Sequence, residues 1–362
     1  MNSTPINIYT SRLNKIRQAL RKKGIDGFLV TDLNNVRYLA GFSGTAGFIL
    51  LTEKKNIFIT DFRYKEQSEK EIKGWEIIIE NGNRLKIIEN LSKKTRVTKL
   101  GFESSVSYDF FKRLSGIHIN LSGQKGLVEK LREIKDGSEI YSIKEAVLRA
   151  EAAYLDVKPF IRKGMRETAI ALRLEERLRR RGCSRIPFDI IVASGPHSAM
   201  PHARPTEKKL REGDLVIIDW GGEANGYYSD MTRTILIGGA GNLSRKKEIY
   251  QIVLEANKRA ISCISQGVRS KEIDEAGRGL IRKAGYGDFF GHGSGHGVGM
   301  QIHEAPRISW NKSVRIRENM VFTIEPGIYV PGVGGVRIED MVIVREKKAE
   351  VMTSLKKDLE IV

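Results

Sequence analysis

Residues 215–237 read LVIIDWGGEANGYYSDMTRTILI: two apolar runs about Asn225-Gly226, each interrupted by an aspartate. An Asn-Gly pair between such runs favours a two-residue type I′ turn, because both residues tolerate positive φ. The turn fixes the pairing, Ala224 against Tyr227 and Asp219 against Thr232. Asp230 lies two residues from Thr232 and therefore shares a face with Asp219. Same-face diagonal neighbours are about 7–8 Å apart at Cα and closer at their side-chain ends. Two carboxylates so placed on an apolar ribbon are positioned to share a cation.

A second pair repeats the arrangement. Glu325 sits in VFTIEPGIYV and Glu339 in GGVRIEDMVIV, and reflection about Gly332 sets the two opposite each other. A carboxylate among residues such as Ile324 and Ile338 is costly to bury without a partner, which is either a cation or an arginine such as Arg337. In GHGSGHGVG, glycine occupies 291, 293, 295, 297 and 299. An extended strand of that pattern sends His292, Ser294 and His296 to one face and leaves the other bare for close backbone approach. The Gly-Lys-Ser/Thr ending of a phosphate loop is missing. Asp219, Asp230, His296, Glu325 and Glu339 are the ligand types that two hard-to-borderline divalent cations need. An oxygen-dominated set with one imidazole favours Mn²⁺, with Co²⁺, Zn²⁺ or Fe²⁺ as alternatives. His118 and His197 have no such context and read as surface or structural residues.

The rest of the chain bounds this chemistry. A length of 362 residues exceeds one ordinary hydrophobic core, so two domains are expected. The first residues lack an apolar signal core, and no apolar run approaches the ~20 residues that span a bilayer, so no membrane partner is expected. Cys183 and Cys263 form no CxxC pair and read as reduced thiols, which suits the cytoplasm. The net charge of +18 comes in short scattered basic runs without interleaved aromatics. That describes a solvated basic surface, and no nucleic acid is expected as partner.

Periodicity predicts a helix over 9–23 stopped by Gly24, then the strand GFLVT. Strands and tight turns are expected over LNNVRYLAGFSGTAGFILLT and KNIFITDFRY, then a helix over 61–73 and a strand over 75–80. This alternation is an α/β domain, placed at residues 1–122. From 123 to 362 the expectation is a larger α+β domain: helices to residue 182, then strands interrupted by helices near 244–265 and 270–284.

Taken together, LNNVRYLAGFSGTAG, TDFRY, SGPHSAMPHARP, IDWGG, YYSDMTRT, GHGSGHGVGMQIHEAP, TIEPGIY and VRIED resemble the metal-dependent pita-bread peptidases. That family includes Xaa-Pro aminopeptidases, prolidases and methionine aminopeptidases. The resemblance covers nearly the whole chain and implies a creatinase-like N-terminal α/β domain before a pita-bread (creatinase/aminopeptidase-like) α+β catalytic domain. It implies a homodimer that hydrolyses the N-terminal Xaa-Pro bond of a peptide with proline at the second position. The implied attacking group is a hydroxide bridging two metal ions. Asp219 is similar to a ligand of one metal alone, Asp230 and Glu339 to bridging carboxylates, and His296 and Glu325 to ligands of the second metal. Glu325 also resembles the residue that accepts the water proton. His202 and His303 match histidines near the scissile bond and the oxyanion, and His292 and Arg337 match further site residues. Trp220 stands where phenylalanine is more familiar. An Xaa-Pro dipeptidase is the alternative, with Arg307 or Arg337 to hold the substrate carboxylate. A non-catalytic binding module on the same fold is more remote, because no ligand is lost.

Overall fold

The structure is a computed structural model that describes residues 5–239 and 243–362. It divides into two compact units, Met1–Arg132 and Glu133–Val362. The first unit carries a six-stranded sheet in the order β4-β3-β2-β1-β5-β6. Its strands are β1 (Gly27–Val30), β2 (Phe48–Thr52), β3 (Asn56–Asp61), β4 (Glu76–Glu80), β5 (Lys99–Glu103) and β6 (Asn120–Gln124). β1, β2 and β3 pair antiparallel, while β4, β5 and β6 join in parallel. Its helices are α1 (Pro5–Lys22), α2 (Leu33–Ala40), α3 (Lys65–Glu71), α4 (Arg84–Lys94), α5 (Tyr108–Leu114) and α6 (Glu129–Arg132). Leu29, Leu50, Ile57, Ile59, Ile88 and Leu100 are at the centre of its core.

Two expectations differ from what is seen here. Residues 33–40, expected as strand and turn, are the helix α2. Asp32 caps it by accepting from the N–H groups of Asn34 and Asn35, a contribution of about 1 kcal/mol, and Gly41 ends it at φ 78°. The division between units falls at Arg132 rather than residue 122, because β6 pairs in register with β5 and completes the sheet.

The second unit begins with helices α7 (Gly137–Val157) and α8 (Glu167–Arg180), and later adds α9 (Ser244–Ser262) and α10 (Ser270–Lys283). β7 (Ile191–Ser194), β8 (Leu215–Trp220), β9 (Glu223–Ala224), β10 (Tyr227–Tyr228) and β11 (Met231–Leu236) form the first strand group. The second comprises β12 (Gly295–Gly297), β13 (Glu304–Ile308), β14 (Val321–Ile324), β15 (Gly327–Val330), β16 (Gly334–Arg337), β17 (Asp340–Val344) and β18 (Ala349–Val351). Sheets run β11-β8-β7 and β13-β12-β14-β17-β18, with β15-β16 and β9-β10 as two-stranded ribbons. Mixed helices and largely antiparallel sheets make this unit α+β.

The hairpin behaves as its turn residues dictate. Asn225 and Gly226 take φ 54° and 85°, Ala224 faces Tyr227, and Asp219 faces Thr232. Trp220 fastens β8 to α7, its Nε1 donating to Ala150 O at 2.9 Å and its ring stacking 4.5 Å from Tyr154. Among the described residues no helix is long and apolar enough to cross a membrane. Basic runs carry surface ion pairs, such as Arg179–Glu175 and Arg180–Glu176, which contribute little to stability.

Candidate metal centre

Five strand ends in the second unit deliver the acids and the imidazole to one cavity. Asp219 is near the end of β8, Asp230 just before β11, His296 in β12, Glu325 just after β14 and Glu339 just before β17. The cavity holds about 780 Å³, and His202, His292, His303, Arg307 and Arg337 line it with these five. Donor atoms of Asp230, His296 and Glu339 lie within 4.8 Å of one another. His296 Nε2 is 3.5 Å from Asp230 Oδ2 and 3.6 Å from Glu325 Oε1. Asp219 faces Arg337, whose Nη2 donates to Oδ2 at 2.6 Å, and its Oδ1 is buried without a hydrogen-bond partner.

The glutamates owe their place to a break in the ribbon. Val321–Ile324 pair with Asp340–Ile343, and Gly327–Val330 pair with Gly334–Arg337, in one continuous register. That register sets Glu325 opposite Glu339, as reflection about Gly332 predicts, but neither residue is in a strand. Pro326 has no N–H to offer the ladder. The ladder keeps one long bond there, Ile338 N to Pro326 O at 3.4 Å, while Glu325 N donates outward to Ser294 O at 2.9 Å and Glu339 N to Thr232 O at 3.1 Å. The two outward bonds bring the segments of His296 and Asp230 against the acids.

The alternating glycines do what a bare face allows. A Cβ at Gly295 would overlap the Thr323 carbonyl, and one at Gly297 the Ala305 carbonyl. The single face expected for His292, Ser294 and His296 is not seen, because only Gly295–Gly297 is strand. His292 Nε2 instead meets Tyr329 OH at 2.8 Å, while Ser294 Oγ donates to Asp274 Oδ1 at 2.7 Å. The Asp274–Arg278 pair of α10 holds this loop, with Arg278 donating to Phe290 O at 2.9 Å and His292 O at 2.6 Å. Arg278 lies between the rings of Phe290 and Trp310, and Trp310 lines the cavity.

Electrostatics show what the cavity lacks. Burial, reinforced by Glu339 and Asp219, pushes the Asp230 carboxyl well above the usual range. Burial with Glu325 and Asp219 does the same to Glu339, and burial raises Glu325 to about 7 against the opposing pull of Arg337. Burial, then His303, pulls His296 down to about 3, and burial takes His292 to about 4. His303 is also lowered, by partial burial and by Arg307, and its ring lies edge-on 4.3 Å from that of His296. The imidazoles are therefore neutral donors, while four carboxylates share the buried Arg337, with only the exposed Arg307 adding to it at Glu325 among the described residues. An orphaned buried oxygen on Asp219 and acids that resist ionisation fit a site built for divalent cations.

The sequence readings of the other histidines divide. His118 is exposed in the first unit. His197 has a defined partner, with Nδ1 2.9 Å from Oε2 of the buried Glu167.

The model of Metallopeptidase family M24 matches residues 141–346, and that of the Creatinase/Prolidase N-terminal domain matches residues 12–134. This chain belongs to metallopeptidase family M24. It is similar to the Xaa-Pro dipeptidase from Bacillus anthracis, with 42% identity, 98% of this chain and 100% of that one covered, and a TM-score of 0.95. The X-Pro aminopeptidase from Thermotoga maritima matches at 35% identity over 97% and 99% of the two chains, with a TM-score of 0.89. The uncharacterized peptidase YqhT of Bacillus subtilis is 40% identical over 96% of this chain and 99% of its own length.

As an M24 metallopeptidase the chain is a metal-dependent hydrolase with a creatinase-type N-terminal domain and a pita-bread catalytic domain. Several residues around the M24 centre carry roles that their sequence context did not assign. Tyr329 OH accepts from Arg337 Nη1 at 2.9 Å. The diagonal-neighbour rule applied to Asp219 and Asp230 finds it, since Arg337 pairs with Gly327 two residues away. Thr232 Oγ1 donates to Glu339 Oε2 at 2.7 Å, and parity along β11 would have shown it. Lys135 and Glu304 form a buried ion pair at 2.9 Å beside His303, for which no local pattern was available.

Proposed function

We propose that this protein cleaves the peptide bond between a first residue and a proline at the second position, using two divalent cations held by Asp219, Asp230, His296, Glu325 and Glu339. The observation that carries this is the convergence of those five donors in one cavity, with buried acids short of countercharge. Divalent cations bound there supply Lewis acidity towards water and the substrate carbonyl. The ions are assigned as Mn²⁺, on the oxygen-rich donor set.

The remaining steps fall to the protein's own groups. Glu325, at the edge of the donor set, takes a proton from water and passes it to the departing nitrogen. His303, kept largely neutral, donates a hydrogen bond to the oxygen that gains negative charge. His202 and His292 orient the substrate, and Arg337 holds Asp219 in place. Phe188, Ile190, Pro201 and Trp310 give the cavity apolar surface suited to a pyrrolidine ring. The relatives named for Xaa-Pro substrates support that specificity.

A second reading, the Xaa-Pro dipeptidase, is favoured by one feature. Arg204, Arg307 and Lys312 line the cavity and are exposed, so a free carboxylate one residue beyond the cleaved bond would find a cation. The proposal extends to a cytoplasmic homodimer, and the two free cysteines suit a reducing compartment. Stripped protein should be reloaded with Mn²⁺ and offered Xaa-Pro dipeptides, longer Xaa-Pro peptides and Xaa-Ala controls. Cleavage of the Ala series at equal rates would sink the proline assignment. Preference between the two proline series decides between dipeptidase and aminopeptidase.

A further inference from the structure

Four polar side chains outside the cavity lining tie the ligand-bearing backbones together. Asn257, fully buried on α9, donates through Nδ2 to Ile324 O at 3.0 Å and to Ile338 O at 3.3 Å. Those carbonyls belong to the residues immediately before Glu325 and Glu339, on opposite strands of the ribbon and at its break. One amide thus replaces the missing rung. Lys357 Nζ lies 2.9 Å from the other end of the amide. An ammonium group only donates, so Oδ1 must face Lys357 and the NH₂ group must face the two carbonyls.

The chain of contacts continues to the strand of Asp230. Lys357 Nζ also donates to Asp340 Oδ2 at 2.8 Å. Asp340 Oδ1 accepts from Arg233 Nη2 at 2.9 Å and from Thr353 Oγ1 at 2.7 Å. Arg233 Nη1 donates to Thr232 O at 2.9 Å and Glu339 O at 2.6 Å, and its other nitrogens reach Leu355 O and Lys356 O. Residues 353–357, which contain no metal-ligand type of side chain, are therefore linked through Arg233, Asn257 and the Asp340 carboxylate to the backbones on either side of Glu339.

We propose that Asn257 and Lys357 are positioning residues: with Asp340 and Arg233 they fix the separation of the Glu325 and Glu339 carboxylates, and so the affinity for a cation that needs both. This rests on the metal-centre reading above. The need is electrostatic. Carboxylates facing each other across a ribbon repel when ionised, and at the break the ladder resists their separation with only one long bond, Ile338 N to Pro326 O at 3.4 Å. The Asn257 amide adds to that resistance, and Lys357 keeps the amide turned the right way. Outer partners of metal ligands typically change metal affinity or activity by about 10–100-fold when removed.

The test measures Mn²⁺ binding to EDTA-stripped protein by titration calorimetry and by the electron paramagnetic resonance signal of free Mn²⁺. Lys357→Met should weaken one Mn²⁺ equivalent by about 10-fold or more. Lys357→Arg, which keeps a charged donor, should recover most of that loss. Turnover of Lys357→Met at low Mn²⁺ should fall and return as Mn²⁺ is raised, with KM unchanged. Asn257→Asp keeps the size but cannot donate to both carbonyls, so it should show the same weakening; it carries the test alone if Lys357→Met folds poorly. Binding of both equivalents within about two-fold of the unaltered protein in either folded variant overturns the proposal, as does an equal loss in Lys357→Arg. If the unaltered protein takes up no Mn²⁺ at all, it is the metal-centre reading that fails.

Discussion

Glu325 should make the metal-free protein lose stability as pH rises. Its carboxyl is lifted to about 7 chiefly by burial, whereas a glutamate in an unfolded chain titrates near 4.3. The gap of roughly 2.7 units, at about 1.36 kcal/mol each, corresponds to about 3–4 kcal/mol. Because the folded value is the raised one, that stabilisation is fully present below about pH 4.3 and falls away up to about pH 7. Asp230 and Glu339 act in the same sense. His292 and His296 act oppositely at acid pH, since the unfolded imidazoles bind protons that the folded ones refuse. The comparison with Glu325→Gln removes those shared contributions. Urea unfolding in EDTA, followed by circular dichroism from about pH 4.5 to 8, gives the difference in stability between the two proteins. The stability of the unaltered protein relative to the variant should fall by about 2–4 kcal/mol across that range, and saturating Mn²⁺ should restore the unaltered protein at the upper end. A difference flat to within about 0.5 kcal/mol would refute the reasoning.

Three further outcomes are expected. Asp230→Ala should abolish Mn²⁺-dependent cleavage and lower metal content by elemental analysis, with the circular dichroism spectrum retained. Arg337→Met leaves the Asp219 carboxylate buried without its partner, so the stripped protein should lose about 3–5 kcal/mol by urea titration, with part recovered when divalent cations bind. His303→Ala should reduce kcat by about 10²-fold with unchanged metal stoichiometry, and an unaltered kcat would remove its role at the oxyanion.

The parts of the centre legible in the sequence are those governed by strand parity. Asn225-Gly226 fixes the pairing of Asp219 with Thr232, and reflection about Gly332 places Glu325 against Glu339. Parity does not reveal where a ladder stops, so the break at Pro326 and the cross-bonds to Ser294 and Thr232 were not foreseen. Nor does it show partners distant in the chain. Asn257 meets Ile324 and Ile338 across 67 and 81 residues, and Lys135 meets Glu304 across 169. In the first unit, the Asn-rich start of LNNVRYLAG reads as a turn, yet the cap from Asp32 decides for helix.

The indole fastened to α7 and the one at the cavity give the protein two internal optical probes. Trp220, shielded from water and stacked on Tyr154, adjoins Asp219 in the chain and should emit at short wavelength. Trp310, 45% exposed and pressed on the Arg278 guanidinium, should emit at longer wavelength and respond when a peptide enters. Replacing Trp75 and then either of these with phenylalanine isolates each signal, so that ion uptake and substrate entry are followed in real time without an added dye.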